Sequence, residues 1–235
     1  MSDKLKKDKK TVDASIGEEL NFAVKEAYNL LRTNLEFSLP DKRGGAKVIG
    51  VTSSLPGDGK SYTAINLCYS IAKKGSKVLL VDCDLRRSSV SEKLSIEQVP
   101  GLSNFLSKGE DGAIKPSGLD DNFYVATAGD LPPNPSELLG SEKMKEFLDV
   151  VISDFDYVFC DLPPVLAVSD AAVVSKLLDG IVIVVRHNKT KRRELVEALR
   201  QLSYSNVKVL GFVYNGFYTG GASYSYKNYT KRENN

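Results

Sequence analysis

The segment Pro56-Gly57-Asp58-Gly59-Lys60-Ser61 combines two glycines, a lysine and a hydroxyl at a spacing suited to holding phosphate. Gly57 and Gly59 let successive backbone N–H groups turn inward around phosphate oxygens, and a helix starting here would aim its positive end at the same anion. Lys60 could then reach the β- and γ-phosphates of a nucleotide while Ser61 offers a hydroxyl to magnesium, with Tyr62 next in line. The usual pattern has a glycine six positions before the lysine, and Ser54 stands there. Taken alone, the loop is also compatible with a tight turn that holds a chance Gly-Lys-Ser.

Three carboxylates narrow the choice. Asp82 and Asp84 follow the apolar run 78–81, and Asp161 follows the run 157–160. An acid just past a buried strand emerges at the carboxyl edge of a sheet, where phosphate loops also lie. Each one singly reads equally well as a helix N-cap. Together with Ser61 they form an oxygen-only set (Ser61, Asp82, Asp84, Asp161) of the kind magnesium takes.

These residues need elements to position them. Leu20, Val24, Ala27, Leu31 and Leu35 recur at helical steps, which predicts an amphipathic helix over 16–37, ended by Pro40 and Gly44-Gly45. A buried strand over 47–52 precedes the glycine-rich turn, and a helix over 61–73 follows it, stopped at Gly75. Further strand-like runs fall at 77–83, 123–126, 157–160, 180–185 and 207–214, between helical candidates near 136–151, 170–178 and 193–202. Continuously apolar runs such as 181–185 are expected where both faces of a strand are covered. The fold expected is α/β of P-loop NTPase type: a single domain over 16–215 with a doubly wound, mostly parallel sheet flanked by helices. A disordered basic arm over 1–15 and a flexible tyrosine-rich tail over 216–235 complete the expected organisation.

Composition sets further bounds. Thirty-two basic against 30 acidic residues leave a net charge of +2, so no global field favours nucleic acid. Cys68, Cys83 and Cys160 lack the paired spacing of a disulfide framework or a metal site, which fits a reduced cytoplasmic setting. No run approaches the roughly 18 apolar residues of a membrane span, and the lysine-rich start shows no signal peptide. The single histidine, His187, is expected at the surface. Lys189, Lys191, Arg192 and Arg193 cluster where a helix should begin, which its dipole disfavours, so an anionic partner or substrate is expected there.

Gly57-Asp58-Gly59-Lys60-Ser61, Val81-Asp82-Cys83-Asp84-Leu85-Arg86 and Phe159-Cys160-Asp161-Leu162-Pro163-Pro164 resemble the Walker A, A′ and B motifs of bacterial tyrosine kinases. The type resembled is the cytoplasmic Gram-positive one that regulates capsule and exopolysaccharide synthesis, and the likeness runs from about Glu26 to the tail. It implies ATP and Mg2+ as cofactors, with Lys60 and Ser61 as phosphate and magnesium contacts and Asp82 as base or orienter for the attacking phenol. Asp84 becomes a second metal-side carboxylate, Asp161 the water-mediated magnesium partner, and Arg86 a group that steadies charge near the phosphates. Asn215 resembles the family's adenine-contacting asparagine, and reads otherwise as a turn residue before Gly216.

The resemblance also implies that Tyr218, Tyr224, Tyr226 and Tyr229 are autophosphorylated between subunits. A ring-forming Glu-x-x-Arg-x-x-Arg motif is matched by Glu26 and Arg32 with Asn29 in the middle place, implying a homo-oligomeric ring. The implied partners are a separate transmembrane activator that recruits the chain to the inner face of the membrane, a cognate tyrosine phosphatase, and protein substrates of polysaccharide synthesis. Nucleic acid is not among them. The rival readings are a ParA/MinD-like ATPase switch, an iron–sulfur carrier and an inactive nucleotide-dependent scaffold. The first carries an extra lysine where this chain has Leu55, and the second needs a close cysteine pair.

Overall fold

The computed structural model describes residues 15–39 and 45–217. The expected basic arm up to residue 14, Pro40, Gly44 and the four tail tyrosines Tyr218, Tyr224, Tyr226 and Tyr229 lie outside the described residues.

The chain opens with a 3-10 turn at Gly17–Glu19 and then α1 (Phe22–Ser38). The single helix expected from residue 16 is interrupted, because Gly17 takes φ +67° and Asn21 caps α1 by accepting from the Val24 N–H at 3.0 Å. Asn66 anchors the turn, accepting from the Gly17 N–H at 2.9 Å and donating to the Ser15 carbonyl at 3.0 Å. The stripe of α1 that packs inward carries Arg32 and Leu35, while Ala27, expected on it, is exposed.

β1 (Lys47–Ser53), α2 (Lys60–Ala72), β2 (Val78–Asp82), α3 (Val90–Leu94) and α4 (Leu102–Lys108) come next. They are followed by β3 (Ile114–Pro116), β4 (Phe123–Ala126), α5 (Pro135–Leu139), α6 (Glu142–Asp154) and β5 (Tyr157–Asp161). α7 (Asp170–Ser175), β6 (Gly180–Arg186), α8 (Arg192–Ser203) and β7 (Val209–Asn215) complete the described residues. The short α3, α4 and β3 have no counterpart in the sequence reading. The helix expected near 136–151 divides at Gly140, where the Ser141 carbonyl accepts from the Met144 N–H at 3.1 Å to start a new helix.

The strands form one seven-stranded sheet in the order β3-β4-β2-β5-β1-β6-β7, parallel except for the β3–β4 pair at one edge. Side chains alternate between its faces, so each central strand feeds two apolar layers. Ile49, Val51, Leu80 and Phe159 pack on the face covered by α1 and α2. Val48, Leu79, Val81, Val158 and Cys160 pack on the face covered by α4 to α8. Strands buried on both faces account for the unbroken apolar runs of the sequence. Asp82 and Asp161 are direct register partners on neighbouring strands, so both carboxylates leave the sheet side by side at its carboxyl edge.

Candidate active site

β1 ends at Ser53, and the chain turns through Ser54–Gly59 into α2, which opens with Lys60 and Ser61. Gly59 occupies the N-cap of α2 at φ +96°, and a Cβ there would stand 2.0 Å from Asn215 Nδ2. Gly57 takes φ +78°, and its Cβ would stand 2.7 Å from Lys189 Nζ. Both glycines sit in a left-handed backbone, and at Gly59 a Cβ would also displace the Asn215 amide, whereas the Lys189 ammonium beside Gly57 ends a flexible side chain that can move. Ser54, in the place where a glycine is usual, is fully buried with an Oγ that finds no partner among the described residues.

Lys60 is buried at the bottom of the turn. Its Nζ lies 3.0 Å from Asp84 Oδ2, 3.3 Å from Asp161 Oδ1 and 3.3 Å from Ser61 Oγ. Burial works against the ammonium, but Asp161, Asp84 and Asp82 overcome it and hold Lys60 above the ordinary lysine range. Asp82 is completely buried, accepting from Ser88 Oγ at 2.8 Å and from the backbone N–H of Asp84 at 3.1 Å. Burial, reinforced by the Asp161 charge, pushes its carboxyl up to about 7 against the pull of Lys60. Burial raises Asp161 as well, against Lys60 and Ser61. Three carboxylates around one ammonium and one hydroxyl are more acid than a single lysine balances. A divalent cation with oxygen ligands would redress that charge, with Ser61, Asp82, Asp84 and Asp161 as candidate donors. Among the described residues no three acidic, histidine or cysteine side chains enclose a metal by themselves, so phosphate and water oxygens would have to complete the shell.

The strand ends behind the loop are tied to one another. Thr52 Oγ1 donates to the Pro163 carbonyl at 2.8 Å, and the Val165 N–H donates to the Ser53 carbonyl at 2.9 Å. On the other side the segment after β6 clasps the loop from above. Lys189 Nζ pairs with Asp58 Oδ1 at 3.3 Å and also donates to the Pro56 carbonyl, and Thr190 Oγ1 donates to Asp58 Oδ2 at 3.0 Å. Arg186 reaches the Gly57 carbonyl at 3.3 Å, and Asn215 Nδ2 donates to the Asp58 carbonyl at 2.9 Å. Asn215 thus lies beside the loop. Lys189, expected to meet an external anion, instead holds the loop's own buried Asp58. Neither Lys189 nor Thr190 belongs to a pattern that sequence spacing could have connected to a loop some 130 residues earlier. His187, expected at the surface, is half-buried, its ring edge-on to Tyr214 and Phe217 at centroid distances of 5.4 and 5.1 Å.

A cleft of about 550 Å³ opens over these groups, lined by Pro56, Gly57, Gly59, Lys60, Ser61, Tyr62 and Asp84 together with Arg86, Arg87 and Lys93. Arg86 lines it while its guanidinium is held by the buried Asp170, Nε to Oδ2 2.9 Å, so its charge is shared with a partner that sequence spacing did not show. Glu26, Asn29 and Arg32 form one hydrogen-bonded row, with Asn29 donating to Glu26 at 2.8 Å and Arg32 donating to Asn29 at 3.0 Å. Arg32 turns inward and ends on the Ser70 carbonyl and hydroxyl, both at 2.7 Å. The cysteines Cys68, Cys83 and Cys160 are free thiols buried in the core. No helix among the described residues is long and apolar enough to cross a membrane.

A family model described as the ParA group, NUBPL iron-transfer P-loop NTPase, matches residues 45–230. Tyrosine-protein kinase YwqD of Bacillus subtilis (strain 168) is 39% identical over 193 residues, 81% of this chain and 80% of its own. Tyrosine-protein kinase CpsD of Streptococcus agalactiae is 35% identical over 211 residues, 88% of this chain and 90% of its own. The kinase domain of the Escherichia coli tyrosine kinase ETK matches the fold with a TM-score of 0.79 at 32% identity, covering 84% of this chain and 77% of that one. With these alignments spanning the phosphate loop and both carboxylate-bearing strands, the chain belongs to the bacterial tyrosine-protein kinases, built on the P-loop NTPase fold.

Proposed function

We propose that this protein transfers the γ-phosphoryl group of Mg-ATP to tyrosine hydroxyls, its own C-terminal Tyr218, Tyr224, Tyr226 and Tyr229 among them, and thereby regulates capsule or exopolysaccharide synthesis. The observation that carries the reading is the buried Lys60 between Asp84 and Asp161, with Asp82 in register beside Asp161, beneath a nucleotide-sized cleft that Lys60 and Asp84 line.

Phosphoryl transfer asks a protein mainly to position two reactants and to distribute negative charge. The loop N–H groups and Lys60 would hold the β- and γ-phosphates, and Asn215 the adenine. Ser61, Asp82, Asp84 and Asp161 would hold magnesium. When bound, the metal neutralises charge between the phosphate oxygens. A bond forms between the phenol oxygen and the γ-phosphorus while the bond to the bridging oxygen of ADP breaks. The phenol proton passes to the Asp82 carboxylate, since a tyrosine of pKa about 10 is protonated at neutral pH. Arg86, steadied by Asp170, adds positive charge near the leaving group.

The same reading includes a homo-oligomeric ring through the α1 row of Glu26 and Arg32, a cytoplasmic location, and recruitment to the membrane by a separate transmembrane activator. A cognate tyrosine phosphatase and protein substrates of polysaccharide synthesis complete the expected partners. What supports these is the likeness to bacterial tyrosine kinases. The α1 row itself argues against the Arg32 part of the motif, because Arg32 is buried and ends on Ser70 of the same chain, leaving only Glu26 and Asn29 partly exposed. Asp82→Asn tests the chemistry. Tyrosine labelling should fall by roughly 10²- to 10⁴-fold while ADP still binds, and labelling at the wild-type rate would remove Asp82 from the role of base.

A further inference from the structure

The cleft is rich in lining cations. Besides Lys60 it is lined by Arg86, Arg87, Lys93 and Arg186, and its one lining carboxylate, Asp84, is already paired with Lys60. Arg86 is committed to Asp170 and Arg186 to the Gly57 carbonyl. Arg87 and Lys93 are not so committed. Among the described residues no carboxylate pairs with either, Arg87 is exposed in the segment between β2 and α3, and Lys93 lies on α3 with its ammonium 4.8 Å from the centre of the Tyr62 ring. Two uncompensated cations on the rim of a substrate cleft favour an anion on whatever enters it. A phenol hydroxyl is neutral and gives them nothing to bind.

The sequence beyond Phe217 is net positive until it is modified. Residues 218–235 carry one acid, Glu233, against Lys227, Lys231 and Arg232, so the unmodified segment meets the rim with like charge. Each phosphorylated tyrosine adds about −2 and three acceptor oxygens, which a guanidinium reads in a forked geometry and an ammonium as a point charge. Tyr224 and Tyr226 are two residues apart. In an extended peptide such residues project to the same side roughly 7 Å apart, so one can enter the cleft while the other stays at its rim.

We propose that Arg87 and Lys93 form a phosphotyrosine subsite, which holds an already modified tyrosine on the tail of a second copy while a neighbouring tyrosine occupies the cleft. This rests on the kinase reading above. One phosphorylation then favours the next on the same tail.

The test uses the dephosphorylated full chain loaded with ADP and Mg2+, so that the phosphate loop is filled, and a fluorescent peptide of residues 216–235 followed by anisotropy. The peptide phosphorylated at Tyr224 should bind at least about tenfold more tightly than the unmodified one, as a charge-assisted contact to two cations would give. In Arg87→Gln/Lys93→Gln the two affinities should agree to within about twofold. Equal binding of both peptides to the wild-type chain, or a preference that survives the double substitution, would overturn the subsite. Labelling of the unmodified peptide with Mg-ATP is a separate readout that speaks to the kinase reading alone, so the failure of either is recognisable.

Discussion

Gly59 shows how tightly single residues are specified here. Its φ of +96° costs any other residue roughly 1–3 kcal/mol, and the Asn215 amide fills the space a Cβ would need. Gly59→Ala should therefore both lower the melting temperature and weaken ADP binding by about tenfold or more, as calorimetric titration would measure. Binding at the wild-type level would mean that the loop reshapes freely. Lys60 has two duties, holding phosphate and neutralising Asp84 and Asp161 when phosphate is absent. Removing one partner of such a buried set leaves charge uncompensated, at about 3–5 kcal/mol. Any Lys60 variant must therefore be shown to be folded before its activity is read.

At the scale of elements, the phosphate loop is held between the Pro163–Leu166 segment on one side and the turn after β6 on the other. Thr190 Oγ1 donates to Asp58 and accepts from the Arg186 N–H at 2.8 Å. Thr190→Val leaves both without that partner, at about 1–3 kcal/mol. It should raise the KM for ATP several-fold with little change in kcat, and an unchanged KM would show that the clasp does not shape the loop. β1, the glycine turn and α2 were legible because an apolar run, two glycines and a helical period occur in sequence. The carboxylates were legible because each follows a buried strand. α3, α4 and β3 were not, since five-, seven- and three-residue elements show too few periods of either kind to stand out. The break at Gly140 and the one before Asn21 were missed for a related reason. Apolar spacing continued across them while a glycine and a capping side chain ended the helix. The Lys189–Asp58 pair joins elements 131 residues apart, and only the sheet order brings them together.

At the scale of the whole molecule, parallel strands carry Asp82 and Asp161 from distant parts of the chain to one edge, while the N-terminal turn and α1 brace α2 from behind. That brace contains a pH-dependent tie. Glu18 accepts from the Tyr69 hydroxyl at 2.5 Å and pairs with Lys25 at 2.9 Å and Lys73 at 3.1 Å, which together hold its carboxyl down at about 2 from 4.5. A carboxyl depressed by folding contributes stability that is full above its unfolded pKa and is lost as pH falls from about 4.5 toward 2. Glu18→Gln should thus melt below wild type at pH 6 and converge with it near pH 2, and parallel melting curves at both pH values would remove the tie. The proposed task of the buried Lys60 and its three carboxylates is transfer to tyrosine and not simple hydrolysis. The most direct measurement follows γ-labelled ATP incubated with Mg2+ and the full chain, tracing the label by mass spectrometry in wild type and in a folded Lys60→Ala variant. Label on tail tyrosines that disappears with Lys60 is the predicted result, and label released only as free phosphate, with no tyrosine modified, would contradict it.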